Sequence, residues 1–344
     1  MDSKETTQLL GVFQLFVTVA ISLAGARLPA TDLGINGTQF TINGKATFLY
    51  GISYYGGLGA SQDFIRGDLD DMQRYGFNWI RVWATWAAFQ DDLSAVNPED
   101  GQPRQPFFDR LKWLVGDCDR RGMIVDITLA RGDGISATRV NTQEKHRRVV
   151  AALMIMLKPY RNWYVDLSNE RDVRDKRFTS FADLNELRHD VKRIDPARLV
   201  TASSGTDIGR TELTEYIKTA EVDFITPHRP RDANSAGQTE ERTRELLAWM
   251  KSVGRVVPVH YQEPFRRGYT DWQPRAEDFV ADAMGAKAAG AAGWCFHNGA
   301  QRQAPDGKPR RSFDLRERRL FDQLDPEELK ALEQLRRIFK SDSR

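Results

Sequence analysis

The chain has 344 residues, 40% of them hydrophobic and 28% charged, with a formal net charge of +2. That length exceeds a small module and suits one large α/β domain. Basic residues are scattered among acidic ones rather than gathered into a run, so nothing points to nucleic acid as the main partner.

Residues 9–26 depart from this soluble composition. LLGVFQLFVTVAISLAGA is uncharged, apolar in its middle and ends in Ala24-Gly25-Ala26. It reads as the apolar core of a secretory signal with cleavage near Ala26, although Asp2 and Glu5 oppose the positive charge of Lys4. The expectation is a secreted or periplasmic protein with no membrane span after processing; an uncleaved N-terminal anchor is the alternative. Residues 27–344 then form the working domain.

Residues 40–47, FTINGKAT, form a hairpin pattern with Asn43-Gly44 at its turn, placed to plug the bottom of whatever follows. Short apolar runs come next at 48–53, 79–83, 123–129, 164–167, 199–202, 222–226, 256–260 and 293–296. Amphipathic helical patterns separate them, several ending in glycine (Gly76, Gly122, Gly254), the usual left-handed stop. Strands alternating with helices at this spacing indicate parallel βα units. Eight such units in a chain of this length predict a closed (β/α)8 TIM barrel rather than an open sheet. GISYYGGLG, after the first run, lacks the G-x-G-x-x-G spacing of a dinucleotide site. Near the end, Asp325-Pro326-Glu327-Glu328 starts a helix whose Leu329, Leu332, Leu335 and Phe339 form an apolar stripe for the barrel wall. Cys118, on a helix, and Cys295, in a strand, show no metal spacing. They read as buried free thiols, with a disulfide left open.

In a barrel, residues just past the C-terminal ends of the strands share one mouth. The candidates there are Tyr54 and Tyr55, Arg81 and Trp83, Arg131 and Asp133, Asn169-Glu170, His228, Glu263, and Trp294 with His297. Glu170 and Glu263 each follow an apolar run, so two strand ends can bring two carboxyls into one cleft. That is the minimum equipment for cleaving a glycosidic bond. Trp83, Trp86 and Tyr55 read as core more readily than as sugar platforms. His146 and His189 fall on helices and read as surface residues.

From about residue 40 to residue 298 the chain resembles the clan A glycoside hydrolases, the family 5 cellulase and mannanase barrels in particular. FTINGKATFLYGISYY resembles the first strand with its preceding hairpin, YGFNWIRVW the second, and LSNE the end of the fourth. VDFITPH resembles the sixth, VVPVHYQE the seventh and AAGWCFHNG the eighth. The resemblance implies a metal-free retaining β-glycosidase acting on a carbohydrate. Glu170 is then the acid/base and Glu263 the nucleophile. Arg81 lies beside Glu263 and Asn169 contacts the sugar 2-hydroxyl. His228 orients a carboxyl or the sugar, Trp294 floors the cleaved subsite, and Tyr54 and His297 line it.

Two departures stand out. Strand six reads His228-Arg229-Pro230 where the family commonly has His-x-Tyr, leaving Tyr261 or Tyr54 as substitutes. Strand three lacks its usual His. Arg131, Arg171, Arg229, Arg231, Arg266 and Arg267 crowd the mouth and hint at an acidic sugar, unless they pair with Asp133, Asp172 and Asp232 on solvated loops. A metal enzyme using Glu170, His228, Glu263 and His297, and a binding-only barrel, are the competing readings. The sugar, the oligomeric state and endo or exo action are not legible.

Overall fold

A computed structural model of the chain describes residues 30–88, 91–132, 139–298 and 313–341. The expected leader, Asp133 and residues 299–312 lie outside the described residues. Among those described, no helix is long and apolar enough to cross a membrane.

Three antiparallel strands come first: β1 (Leu33–Asn36), β2 (Gln39–Ile42) and β3 (Lys45–Thr47). The turn between β2 and β3 has Asn43 at φ 52 and Gly44 at φ 77, the paired positive φ values that Asn-Gly accommodates. Parallel strands then alternate with helices. These strands are β4 (Leu49–Ser53), β5 (Trp79–Trp83), β8 (Ile124–Thr128) and β9 (Trp163–Asp166), then β10 (Val200–Thr201) continued by β11 (Ser203–Ser204), β12 (Thr226–Pro227), β13 (His260–Tyr261) and β14 (Gly293–Phe296). A small hairpin, β6 (Ala87–Ala88) with β7 (Asp91–Asp92), follows the second barrel strand. Seven strands run in the order β10-β9-β8-β5-β4-β14-β13. The ring closes because β11 pairs with β12 and an Ile225–Val259 bridge joins the sixth segment to the seventh. The expected (β/α)8 barrel is therefore the observed fold.

The wall helices are α1 (Gln62–Tyr75), α2 (Phe107–Arg120), α3 (Gln143–Leu157), α4 (Phe181–Ile194), α5 (Arg210–Lys218), α6 (Ser235–Val253) and α7 (Ala276–Ala288). The Ser61 hydroxyl accepts from Phe64 N at the start of α1, and Gly76 and Gly254 take the left-handed conformation after α1 and α6. The final helix, α8 (Pro326–Ser341), opens with a reciprocal cap between Asp325 and Glu328 at 2.9 Å in each direction. Its Leu332, Leu335 and Phe339 are buried, whereas Leu329 is 36% exposed and leaves the expected stripe. Phe339 stacks on Tyr50 with ring centroids 4.4 Å apart.

The sixth and seventh strands are shorter and later than the apolar runs 222–226 and 256–260. The Asp223 carboxylate takes the Val200 N–H at 2.9 Å, so a side chain replaces the ladder there. Pro258 has no N–H to give, and Val256 is exposed.

Alternation along the strands sorts the two cores. Inside the barrel lie Trp79, Ile124, Tyr164, Phe224 and Cys295, with Phe40 of the hairpin among them. Phe40 meets Phe224 edge-on at 5.0 Å, so the hairpin plugs the bottom as expected. Tyr50, Ile52, Ile80, Val82, Val125, Ile127, Val165, Trp294 and Phe296 point outward into the helix layer. Cys118 and Cys295 are both free and buried.

Candidate active site

Arg81 points inward from β5 and is fully buried. Its Nη1 donates to Glu263 Oε1 at 2.5 Å, and its Nη2 donates to Asp166 Oδ2 and Asn169 Oδ1, each at 2.9 Å. Its Nε donates to Thr128 Oγ1 at 3.0 Å, and Asp126 Oδ2 lies 3.3 Å from the same nitrogen. One guanidinium thus ties together the ends of β5, β8 and β9 and the segment after β13. Burial alone would favour losing its proton, but Glu263, Asp126 and Asp166 outweigh that and keep it charged. Burial pushes Asp126 up to about 8, against the pull of Arg81.

Glu170 and Glu263 come together. One oxygen of each and a ring nitrogen of His228 all lie within 4.8 Å of one another. Glu263 is almost completely buried. Its Oε2 receives Arg231 Nη2 at 3.0 Å and has His228 Nδ1 and His297 Nε2 each at 3.7 Å. Burial raises its carboxyl, but His228, His297, Arg81 and Arg231 together hold it well below the usual carboxylate range. His297 is itself pushed well down by burial and by Arg266, whereas the guanidiniums of Arg81 and Arg231 stay charged.

Glu170 is half-buried, and its backbone has φ 49. A glutamate in the left-handed region costs about 1–3 kcal/mol, and such residues cluster at functional sites. Its Oε1 meets Arg231 Nη2 at 3.2 Å and His228 Nδ1 at 3.4 Å, and its Oε2 meets Arg177 Nη1 at 3.2 Å. Burial raises this carboxyl and so does Glu263, yet the His228 hydrogen bond and Arg231 leave it below its ordinary value.

The ladder between β14 and β4 explains which neighbours reach the mouth. Cys295 lies opposite Gly51 and Phe296 opposite Ile52, so Ser53 meets Cys295 inside at 3.3 Å. Two residues further on, the same face brings the Tyr55 hydroxyl to 3.0 Å from His297 Nε2, beside the Glu263 carboxylate, whose charge adds to burial in holding the phenol proton on. Tyr55 stacks on Trp83 at 3.9 Å, and Arg81 lies over Trp83 at 4.5 Å.

Arg81, Asn169, Glu170, His228, Glu263 and His297 therefore converge, while two expected members do not. Tyr54 faces the helix layer and donates to Asp68 at 2.7 Å. Trp294 also faces outward, donating through Nε1 to Asp282 at 2.5 Å, so it cannot floor a subsite inside the barrel. Period-2 alternation from Cys295 predicts both corrections, and it favours Tyr55 over Tyr54. Tyr261 bonds Thr243 on α6, so neither proposed substitute for the missing strand-six Tyr reaches Glu263; the tyrosine beside it is Tyr55, bonded to His297. His146 is buried and accepts from Arg131 Nε at 3.1 Å, contrary to the surface placement; His189 is exposed, as expected.

The arginines divide. Arg131 pairs with Asp183, Arg171 with Glu212, Arg229 with Asp207 and Arg267 with Asp325. These are ion pairs with acids other than those expected. Arg231 alone among the six touches both glutamates, and the sequence carries no signal for Arg177, which joins it at Glu170. Glu170, His228 and Glu263 could present donors to a metal ion. The guanidiniums of Arg81 and Arg231 already contact three of the four carboxylate oxygens, and their charge opposes a cation there.

The fold and the mouth define a closed (β/α)8 barrel in which two glutamates meet at the C-terminal ends of the strands. Solved structures with this fold include a family 5 mannosidase from Rhizomucor miehei (TM-score 0.62, 14% identity, covering 91% of this chain and 98% of that one). An endo-1,4-beta-mannanase from the same organism gives a TM-score of 0.64 at 12% identity, over 90% of this chain and 99% of that one. A Thermotoga petrophila endo-1,4-beta-D-mannanase gives 0.60 at 16% identity, over 85% and 99%. No family model matches the sequence, and no curated protein matches it. The likeness is one of fold.

Proposed function

We propose that the protein is a retaining glycoside hydrolase that cleaves β-glycosidic bonds by double displacement. The observation that carries this reading is the approach of Glu170 and Glu263 to within 4.8 Å, each on its own strand end and each with its own cationic partners. Retaining enzymes hold their carboxyls roughly 5 Å apart, whereas inverting ones leave room for a water.

Glu263 is the nucleophile. Arg81 and Arg231 keep it ionised and fix its orientation. It attacks the anomeric carbon while Glu170 gives its proton to the departing oxygen. Glu170 then takes a proton from water, and that water hydrolyses the glycosyl–Glu263 ester. Asn169, held by Arg81, is placed for the sugar 2-hydroxyl, and His228 sits between the carboxyls. The similar folds carry the names mannosidase and mannanase, which makes β-mannosides the first substrates to try. We also propose export through residues 1–26, on the strength of their apolar run and Ala-Gly-Ala end.

The test is hydrolysis of a panel of aryl β-glycosides and polysaccharides with and without EDTA. EDTA-resistant release supports the two-glutamate mechanism. EDTA-sensitive release transfers the chemistry to a metal at Glu170, His228 and Glu263.

A further inference from the structure

Arg231 stands where a substrate must go. One of its nitrogens contacts Glu170 Oε1 at 3.2 Å and Glu263 Oε2 at 3.0 Å, so it spans the gap between acid and nucleophile. In a retaining mechanism that gap receives the anomeric carbon and the departing oxygen. Bound sugar therefore has to separate this guanidinium from the carboxylates.

Charge counting shows what the separation requires. At rest Arg231 faces two carboxylates. Once Glu170 carries the proton to be donated, only Glu263 is negative. Once Glu263 is esterified, only Glu170 is. The pair thus carries one negative charge fewer throughout the reaction than Arg231 meets at rest. Little water can compensate, because the Arg231 side chain is only 14% exposed. Among the described residues the Tyr269 ring lies under it at 4.5 Å, but Arg266 lies over the same ring at the same distance, so two guanidiniums draw on one ring. Arg177 brings a second guanidinium to Glu170. A neutral sugar gives a displaced guanidinium only hydroxyls; a carboxylate or sulfate can take it with two charge-assisted hydrogen bonds.

Resting on the glycosidase reading above, we propose that the sugar bound between Glu170 and Glu263 carries an anionic substituent, a carboxylate or a sulfate ester, and that Arg231 recognises it. The substituent draws Arg231 off Glu170, so substrate binding itself lets Glu170 take up its proton. An anionic ligand thereby arms the acid.

The experiment compares 4-nitrophenyl β-glycosides of glucose, mannose and galactose with the matching uronic acids and 6-sulfates, using the full chain and Arg231→Met. In parallel, calorimetry measures binding of the free neutral, uronic and sulfated monosaccharides. The expected result is one anionic glycoside exceeding its neutral parent in kcat/KM by roughly thirtyfold or more, the low end of what a lost buried charged partner costs. Arg231→Met should abolish that preference, and the preferred arm distinguishes carboxylate from sulfate. If Arg231→Met does not fold, Arg231→Lys should keep the preference but weaken it. Equal or better hydrolysis of the neutral glycosides overturns the proposal and leaves the glycosidase reading standing. Hydrolysis of nothing, with Arg231-dependent binding of an anionic sugar, overturns the glycosidase reading and keeps the anion site. Hydrolysis of nothing with no such binding overturns both.

Discussion

Arg231 Nη2 lies 3.2 Å from Glu170 Oε1, joining a loop after β12 to the end of β9 across the barrel mouth. Together with His228 it holds Glu170 below its ordinary pKa although burial acts the other way. The resting site therefore has two ionised glutamates, and in the mechanism proposed above Glu170 must carry a proton when it acts as the acid.

Replacing Glu170 with Ala separates substrates by leaving group. Glycosides with poor leaving groups need the proton and should lose about 100- to 10,000-fold in kcat/KM, the usual worth of a positioned acid. Those with dinitrophenyl or fluoride leaving groups should lose far less in the glycosylation step. Equal losses on both would remove Glu170 from the acid role.

The pH dependence follows from the same two carboxyls. kcat/KM reports the free enzyme, in which Glu170 lies below its ordinary value and Glu263 further below. Activity on unactivated substrates should peak in acid and fall as pH rises and Glu170 loses its proton. Because bound substrate displaces Arg231, the falling limb of kcat should lie at higher pH than that of kcat/KM. Stability has the opposite slope. Both folded values lie below the roughly 4.3 of an unfolded glutamate, so these groups stabilise the fold above that pH. The contribution disappears as pH falls through the folded values. Urea titrations across this range, with Glu263→Gln as control, check the sign.

Tyr55→Phe removes the hydroxyl that bonds His297 beside Glu263. With the stacked ring retained, stability should change by only about 1 kcal/mol. Turnover should drop by roughly tenfold, and the acid limb should shift as His297, 3.7 Å from Glu263, loses its partner. An unchanged pH profile would make Tyr55 a packing residue only.

Trp294→Phe tests the outward placement of that ring. It removes the bond to Asp282, whose carboxyl burial already pushes up to about 6. A loss of about 1–3 kcal/mol in stability, with KM unchanged for the folded protein, is expected. A large rise in KM at unchanged melting temperature would put Trp294 back against the sugar.

Much of this architecture was readable in the chain. The runs 79–83 and 293–296 coincide with strands, the Asn43-Gly44 turn and the Asp325 cap are where their chemistry places them, and Glu170 and Glu263 meet as their strand ends require. What was lost had two causes. Motif position puts Tyr54 and Trp294 at the mouth, whereas inside–outside alternation along their own strands turns both toward the helix layer. The partners of Arg231 and Arg177 depend on loop conformations after β12 and β9, which no periodicity encodes.

The most direct measurement is turnover by Glu263→Ala in the absence and presence of azide, on a glycoside with a good leaving group. The account predicts a folded protein with no turnover, rescue by azide, and a glycosyl azide of inverted configuration as the product. Substantial hydrolysis by the variant without azide would contradict the assignment of Glu263 as nucleophile, and with it the double-displacement mechanism.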